Sequence, residues 1–114
     1  MTKKGKKLSF DWTQSDPQPL GSWGCSRATL IGGNYLGFMI CFPRLFPLNH
    51  GIIRNLEIIS KPGTCVHVLE PAPTTGYCSG AFDKVEAVTI ACLAGPLASV
   101  QPWRSTPSWS AASR

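Results

Sequence analysis

Hydrophobic positions in this chain fall in short, interrupted runs rather than in long periodic stripes. Residues 1–27 read as extended and irregular, because Pro17, Pro19, Gly21 and Gly24 break any helix and Trp12 and Trp23 stand isolated among polar neighbours. From residue 28 the chain turns apolar, with runs over 29–31 and 36–42 flanking Gly32-Gly33-Asn34, a pattern that predicts a hairpin. Pro43 and Pro47 then end regular structure, since each removes a backbone donor and restricts the residue before it. The β-branched run 52–59 predicts a strand, and Lys61-Pro62-Gly63-Thr64 has the Pro-Gly centre of a type II turn leading into a return strand over 65–69. Phe82, Val85, Thr89 and Cys92 fall at helical spacing, Ser79 is placed to cap, and Gly95-Pro96 is a stop; these predict a helix over 81–94.

The fold class expected from this pattern is a largely irregular small protein with limited β-hairpin content and one C-terminal helix, its stable folding an open question. Three segments follow: a basic, Pro- and Gly-containing flexible arm over 1–27, an apolar segment over 28–95 with candidate hairpins and the helix, and a flexible Ser/Pro/Trp tail over 96–114.

Composition sharpens the picture. Of 114 residues, 43% are hydrophobic and 15% charged, whereas an average globular protein has roughly 25% charged residues. The net charge is +5, and Lys3, Lys4, Lys6 and Lys7 supply most of it. Such a cluster fits a loose nuclear-localisation or polyanion-binding pattern, with Trp12 and Trp23 as stacking groups for RNA. No apolar signal core follows the lysines, so the expected location is cytoplasmic or nuclear. The uncharged stretches 28–43 and 87–103 fall short of the roughly 20 residues that span a bilayer, which makes membrane residence through 28–48 an alternative only.

Five cysteines are many for this length, but no Cys-x-x-Cys or His-x(3–5)-His spacing accompanies them. Cys65, His67, Cys78 and Cys92 are the weak candidates for a metal; the thiols otherwise read as small packed hydrophobes, and no cofactor is expected. The carboxylates are scattered, and neither His50 nor His67 carries a triad signal by sequence. The expectation is of no enzyme. Ser9, after Lys6-Lys7-Leu8, and Thr106, before Pro107, fit short kinase-target patterns.

Residues 3–23 are similar to the opening segment of translation initiation factor 4B proteins. The likeness rests on the lysine cluster with Leu8-Ser9-Phe10, then Trp12, Asp16 and Leu20-Gly21-Ser22-Trp23. It implies a translation-related RNA- or ribosome-binding fragment. The chain departs from the family at Gly24-Cys25, and the aromatic motifs of an RNA-recognition domain do not follow. The leading functional expectation is therefore a small nonenzymatic protein without identifiable activity, of the kind an unselected or intron-retaining reading frame would produce.

Overall fold

The computed structural model describes residues 1–43, 47 and 49–97. Polar and apolar residues alternate along Lys7-Leu8-Ser9-Phe10-Asp11, the period at which successive side chains of a strand point to opposite faces. This segment is the central strand β2 (Lys7–Asp11). It pairs antiparallel with β1 (Thr2–Lys4) in the register Thr2↔Ser9 and Lys4↔Lys7. The two-residue connection between them holds Gly5 at φ +60°, as the tight primed hairpin turns require.

Strand β3 (Leu56–Ile59) lies on the other side of β2 and runs parallel to it, giving the order β1-β2-β3. Leu8 pairs with Leu56 and Phe10 with Ile58, so the apolar residues share one face. On the opposite face Ser9 pairs with Glu57, and its hydroxyl donates to the Glu57 carboxylate at 2.8 Å. A parallel pair needs a crossover. Here it contains helix α1 (Arg27–Cys41) and the short helix α2 (His50–Ile53).

The expected hairpin over 29–42 is instead α1. Ser26 caps it by accepting from the Thr29 amide at 3.3 Å, and Leu30, Gly33, Asn34, Gly37 and Cys41 form its buried stripe. The glycines that suggested a turn are a contact surface. They let α1 lie close against helix α3 (Asp83–Leu97), whose buried stripe is Val85, Thr89 and Leu93. A Cβ at Gly37 would stand 2.9 Å from the Thr89 Cβ and 3.0 Å from the Glu86 carbonyl oxygen. Helix α3 overlaps the expected helix over 81–94 but starts later and runs past the expected stop at Gly95-Pro96 to Leu97; it is entered through a widened π turn over Cys78–Phe82 that contains Ser79, the expected cap.

The second expected hairpin also resolves differently. Residues 50–53 are helical, and β3 pairs with β2 rather than with 65–69. The turn retains Gly63 at φ +85°, but the returning chain binds the segment after β2: the Cys65 amide donates to Asp16, the Cys25 amide to Cys65 and the Val68 amide to Cys25, at 2.9, 2.9 and 3.1 Å. What reads as a free arm thus orders against its own chain.

Among the described residues two packed groups form the core, Cys25, Leu30, Val66 and Val85 in one and Phe10, Cys41 and Leu93 in the other, with Trp12 against both. Between the helices Asn34 is fully buried. Its amide nitrogen donates to the Leu30 carbonyl at 2.9 Å, and its oxygen receives the Trp12 indole at 3.3 Å and the Thr89 hydroxyl at 3.1 Å. That hydroxyl also approaches the Val85 carbonyl at 2.8 Å, so its single proton is shared. Among the described residues no buried side-chain polar atom lacks a partner. A three-stranded sheet covered by packed helices replaces the expected irregular, marginally folded chain. No helix among the described residues is long and apolar enough to cross a membrane, and α1 ends at Cys41 within the stretch 28–48.

Candidate functional site at the carboxyl end of the parallel strands

Strands β2 and β3 end together, with Asp11 opposite Ile59. In open sheets built on parallel strands, ligands bind beyond the carboxyl ends, where the connecting loops converge. Here the ladder extends one step further, as the Trp12 amide donates to the Ile59 carbonyl at 2.8 Å, and the chain then releases Ser60. Ser60 Oγ lies 3.0 Å from Nδ1 of His67, and both residues are half-buried.

The imidazole is held by its own backbone. The His67 amide donates to the Thr64 carbonyl at 3.0 Å, the Gly63 amide donates to the His67 carbonyl at 2.9 Å, and the Thr64 hydroxyl closes onto the Lys61 carbonyl at 2.8 Å. Residues 61–67 therefore form a small closed loop fixed to the end of β3. The hydroxyl–imidazole pair is a nucleophile and a base within hydrogen-bond reach.

Two thiols, Cys65 in this loop and Cys25 beside it, are chemically subdued. Burial, and then the neighbouring Cys65, pushes the Cys25 thiol up to about 11. Burial followed by the charge of Asp16 likewise raises Cys65. Thiolate is the nucleophilic form of cysteine, so both are poor nucleophiles at neutral pH.

The residues singled out from sequence are dispersed. Lys3, Lys6 and Lys7 line a cavity of about 570 Å³ at the amino ends of β2 and β3, whose apolar lining includes Leu8, Phe38, Leu56 and Leu93. Lys4 is exposed and is not part of that lining. Trp12 is committed to the core through Asn34, while Trp23 is 62% exposed and tied to the π turn, its carbonyl accepting from the Ala81 amide at 3.3 Å. The cavity instead meets the far end of α3, at Leu93, Pro96 and Leu97.

Cys65, His67, Cys78 and Cys92 are likewise not gathered: no group of three or more His, Cys, Asp or Glu side chains among the described residues is placed to hold a metal ion. Cys78 is exposed at the π turn, and Cys92 packs against the second core group. Ser9 sits in the central strand on the Glu57 carboxylate, a position that repels an added phosphate. Thr106 lies outside the described residues. Ser60 carries a single signal in the sequence, a hydroxyl directly after a β-branched run and ahead of a Pro-Gly turn.

A family model, Hydantoinase B/oxoprolinase, matches residues 1–111. The chain belongs to that family. No curated protein and no solved structure matches it. The family match replaces the likeness of residues 3–23 to translation initiation factor 4B proteins, because it runs through the segments where that likeness ends. It also overturns the expectation of a nonenzymatic product of an unselected reading frame, since the family is one of enzymes, and it lends no support to the RNA-binding or membrane alternatives.

Proposed function

We propose that this chain takes part in the hydrolysis of a cyclic amide, the class of ring represented by hydantoin and 5-oxoproline. The observation that carries this reading is family membership across residues 1–111. Both rings contain an amide C–N bond whose hydrolysis adds one water and opens the ring. The sheet supports the reading by offering polar chemistry at the carboxyl ends of its parallel strands, where Ser60 and His67 meet. The test is incubation of the folded protein with hydantoin or 5-oxoproline, with the ring-opened product followed by mass spectrometry and binding by ligand-observed NMR. Ring opening of one of the two compounds, or its specific binding, is the expected result. A folded protein that neither binds nor opens either ring overturns the reading.

A further inference from the structure

A cavity with apolar walls and cations along one rim matches a molecule that has an apolar body and an anionic end. The cavity of about 570 Å³ at the amino ends of β2 and β3 is divided in that way, and its size falls within the roughly 300–1,000 Å³ of small-molecule sites. Leu8 and Leu56, paired in the parallel ladder, form its apolar walls with Phe38 of α1, Ile52 of α2, and Leu93 and Leu97 of α3. The charge comes from Lys3, Lys6 and Lys7. Gly5, at φ +60°, turns β1 back on β2, so these lysines are carried by a hairpin of fixed register rather than by a loose arm.

Nothing in the lining offsets that charge. None of the six carboxylates belongs to it: Asp11 ends β2 at the opposite edge of the sheet, Glu57 accepts from Ser9 on the other face, and Asp83 and Glu86 stand in the first turn of α3, away from Leu97. Lys4 pairs directly with Lys7, and like charges so placed destabilise a strand pair, so the hairpin concentrates positive charge at a cost to itself. The helix ends at Phe42 and Leu97 bring about half a negative charge each, which leaves the three ammonium groups in excess. Residues 43–48 and 98–114, which adjoin the lining in sequence, hold Arg44, Arg104 and Arg114 and no carboxylate side chain, so they supply no counter-charge. We propose that this cavity binds a free aliphatic carboxylate, with its hydrocarbon chain against the apolar walls and its head among Lys3, Lys6 and Lys7. The ammonium group is a compact point charge on a flexible stem and can follow such a head. Each buried methylene of the chain adds up to about fourfold in affinity, so the chain supplies most of the binding and the lysines select the head. This binding is separate from ring opening, because Ser60 and His67 lie at the other end of the sheet.

The test is titration of the full chain with decanoate, decanol and acetate at submicellar concentrations, followed by protein amide and methyl NMR shifts and by equilibrium dialysis. Decanoate is expected to bind one to one, with the largest shifts at Leu8, Leu56, Leu93 and Leu97. Decanol, which keeps the chain and loses the charge, should bind on the order of tenfold more weakly, and acetate, which keeps the head alone, should give no saturable shift. The triple variant Lys3→Gln, Lys6→Gln, Lys7→Gln should bring decanoate down to the affinity of decanol. Lys4→Gln removes the same charge from the same hairpin but outside the lining, and should change the affinity by less than about twofold. Circular-dichroism melts establish that the variants fold, and the comparison of decanoate with decanol on the wild-type chain decides independently of them. Absence of submicellar decanoate binding overturns the proposal, as do equal affinities for decanoate and decanol, shifts centred away from the cavity, or a loss in Lys4→Gln as large as that in the triple variant.

Discussion

Replacing Gly37 with alanine tests the central packing contact of the fold. An alanine in a helix interior is favoured over glycine by about 1 kcal/mol, so in isolation α1 gains from the change. The new methyl, however, would meet the Thr89 Cβ at 2.9 Å, the Glu86 carbonyl oxygen at 3.0 Å and the Thr89 Cγ2 at 3.1 Å. Two of these belong to atoms that no side-chain rotation moves away, so α1 and α3 must separate. Overpacking of this kind costs about 1–3 kcal/mol, leaving Gly37→Ala between neutral and about 2 kcal/mol less stable. Gly32 supplies the control, since it is exposed and a Cβ there meets nothing within 4 Å. Gly32→Ala should gain up to about 1 kcal/mol. For a domain of this size each kcal/mol moves the melting temperature by roughly 4–8 °C, so circular-dichroism melts should place Gly32→Ala clearly above Gly37→Ala. Equal stability of the two variants, or the reverse order, would refute the close approach of the two helices.

Asn34→Ala should cost about 2–4 kcal/mol in urea denaturation, because it leaves a buried gap and strips the Trp12 indole of its acceptor; a loss under about 1 kcal/mol would contradict the network. An aromatic disulfide reagent should modify exposed Cys78 first, with buried Cys25 and Cys41 reacting only on unfolding; simultaneous modification of all three would count against the core. Cys25 also makes stability depend on alkaline pH. Its folded-state value of about 11 lies above the ordinary 9.0, so between the two the unfolded chain releases a proton that the folded chain retains. The melting temperature should therefore fall as pH rises from about 9 towards 11, and Cys25→Ala should reduce that slope; an unchanged slope would place its cause elsewhere.

Some of this structure is legible residue by residue. The alternation Lys7-Leu8-Ser9-Phe10-Asp11 is a strand pattern, although the surrounding lysines draw attention to charge and away from period. The Pro-Gly turn at 62–63 and the helical spacing of Val85, Thr89 and Cys92 are local signals that the fold uses, whereas the stop expected at Gly95-Pro96 is overrun, since α3 continues to Leu97. The stripe Leu30, Gly33, Asn34, Gly37 and Cys41 has helical spacing, but the same Gly32-Gly33-Asn34 also spells a turn. What separates the two is a partner helix some fifty residues away, whose Thr89 and Val85 fill the space the glycines leave. Pairing of Leu8 with Leu56 is equally nonlocal, and no window of sequence contains it. Ser60 and His67 lie near each other in the chain, but their contact depends on the way Gly63 and Thr64 fold the loop back. Family membership is likewise spread over 111 residues rather than concentrated in a short motif, which is why a likeness confined to residues 3–23 pointed elsewhere.

The most direct measurement is mass spectrometry of the folded, wild-type protein incubated with hydantoin and, separately, with 5-oxoproline. Accumulation of a product heavier by one water, in proportion to protein concentration and above a heat-denatured control, is the predicted result. A protein with a cooperative melt that neither opens nor binds either ring would contradict hydrolysis of a cyclic amide as its function.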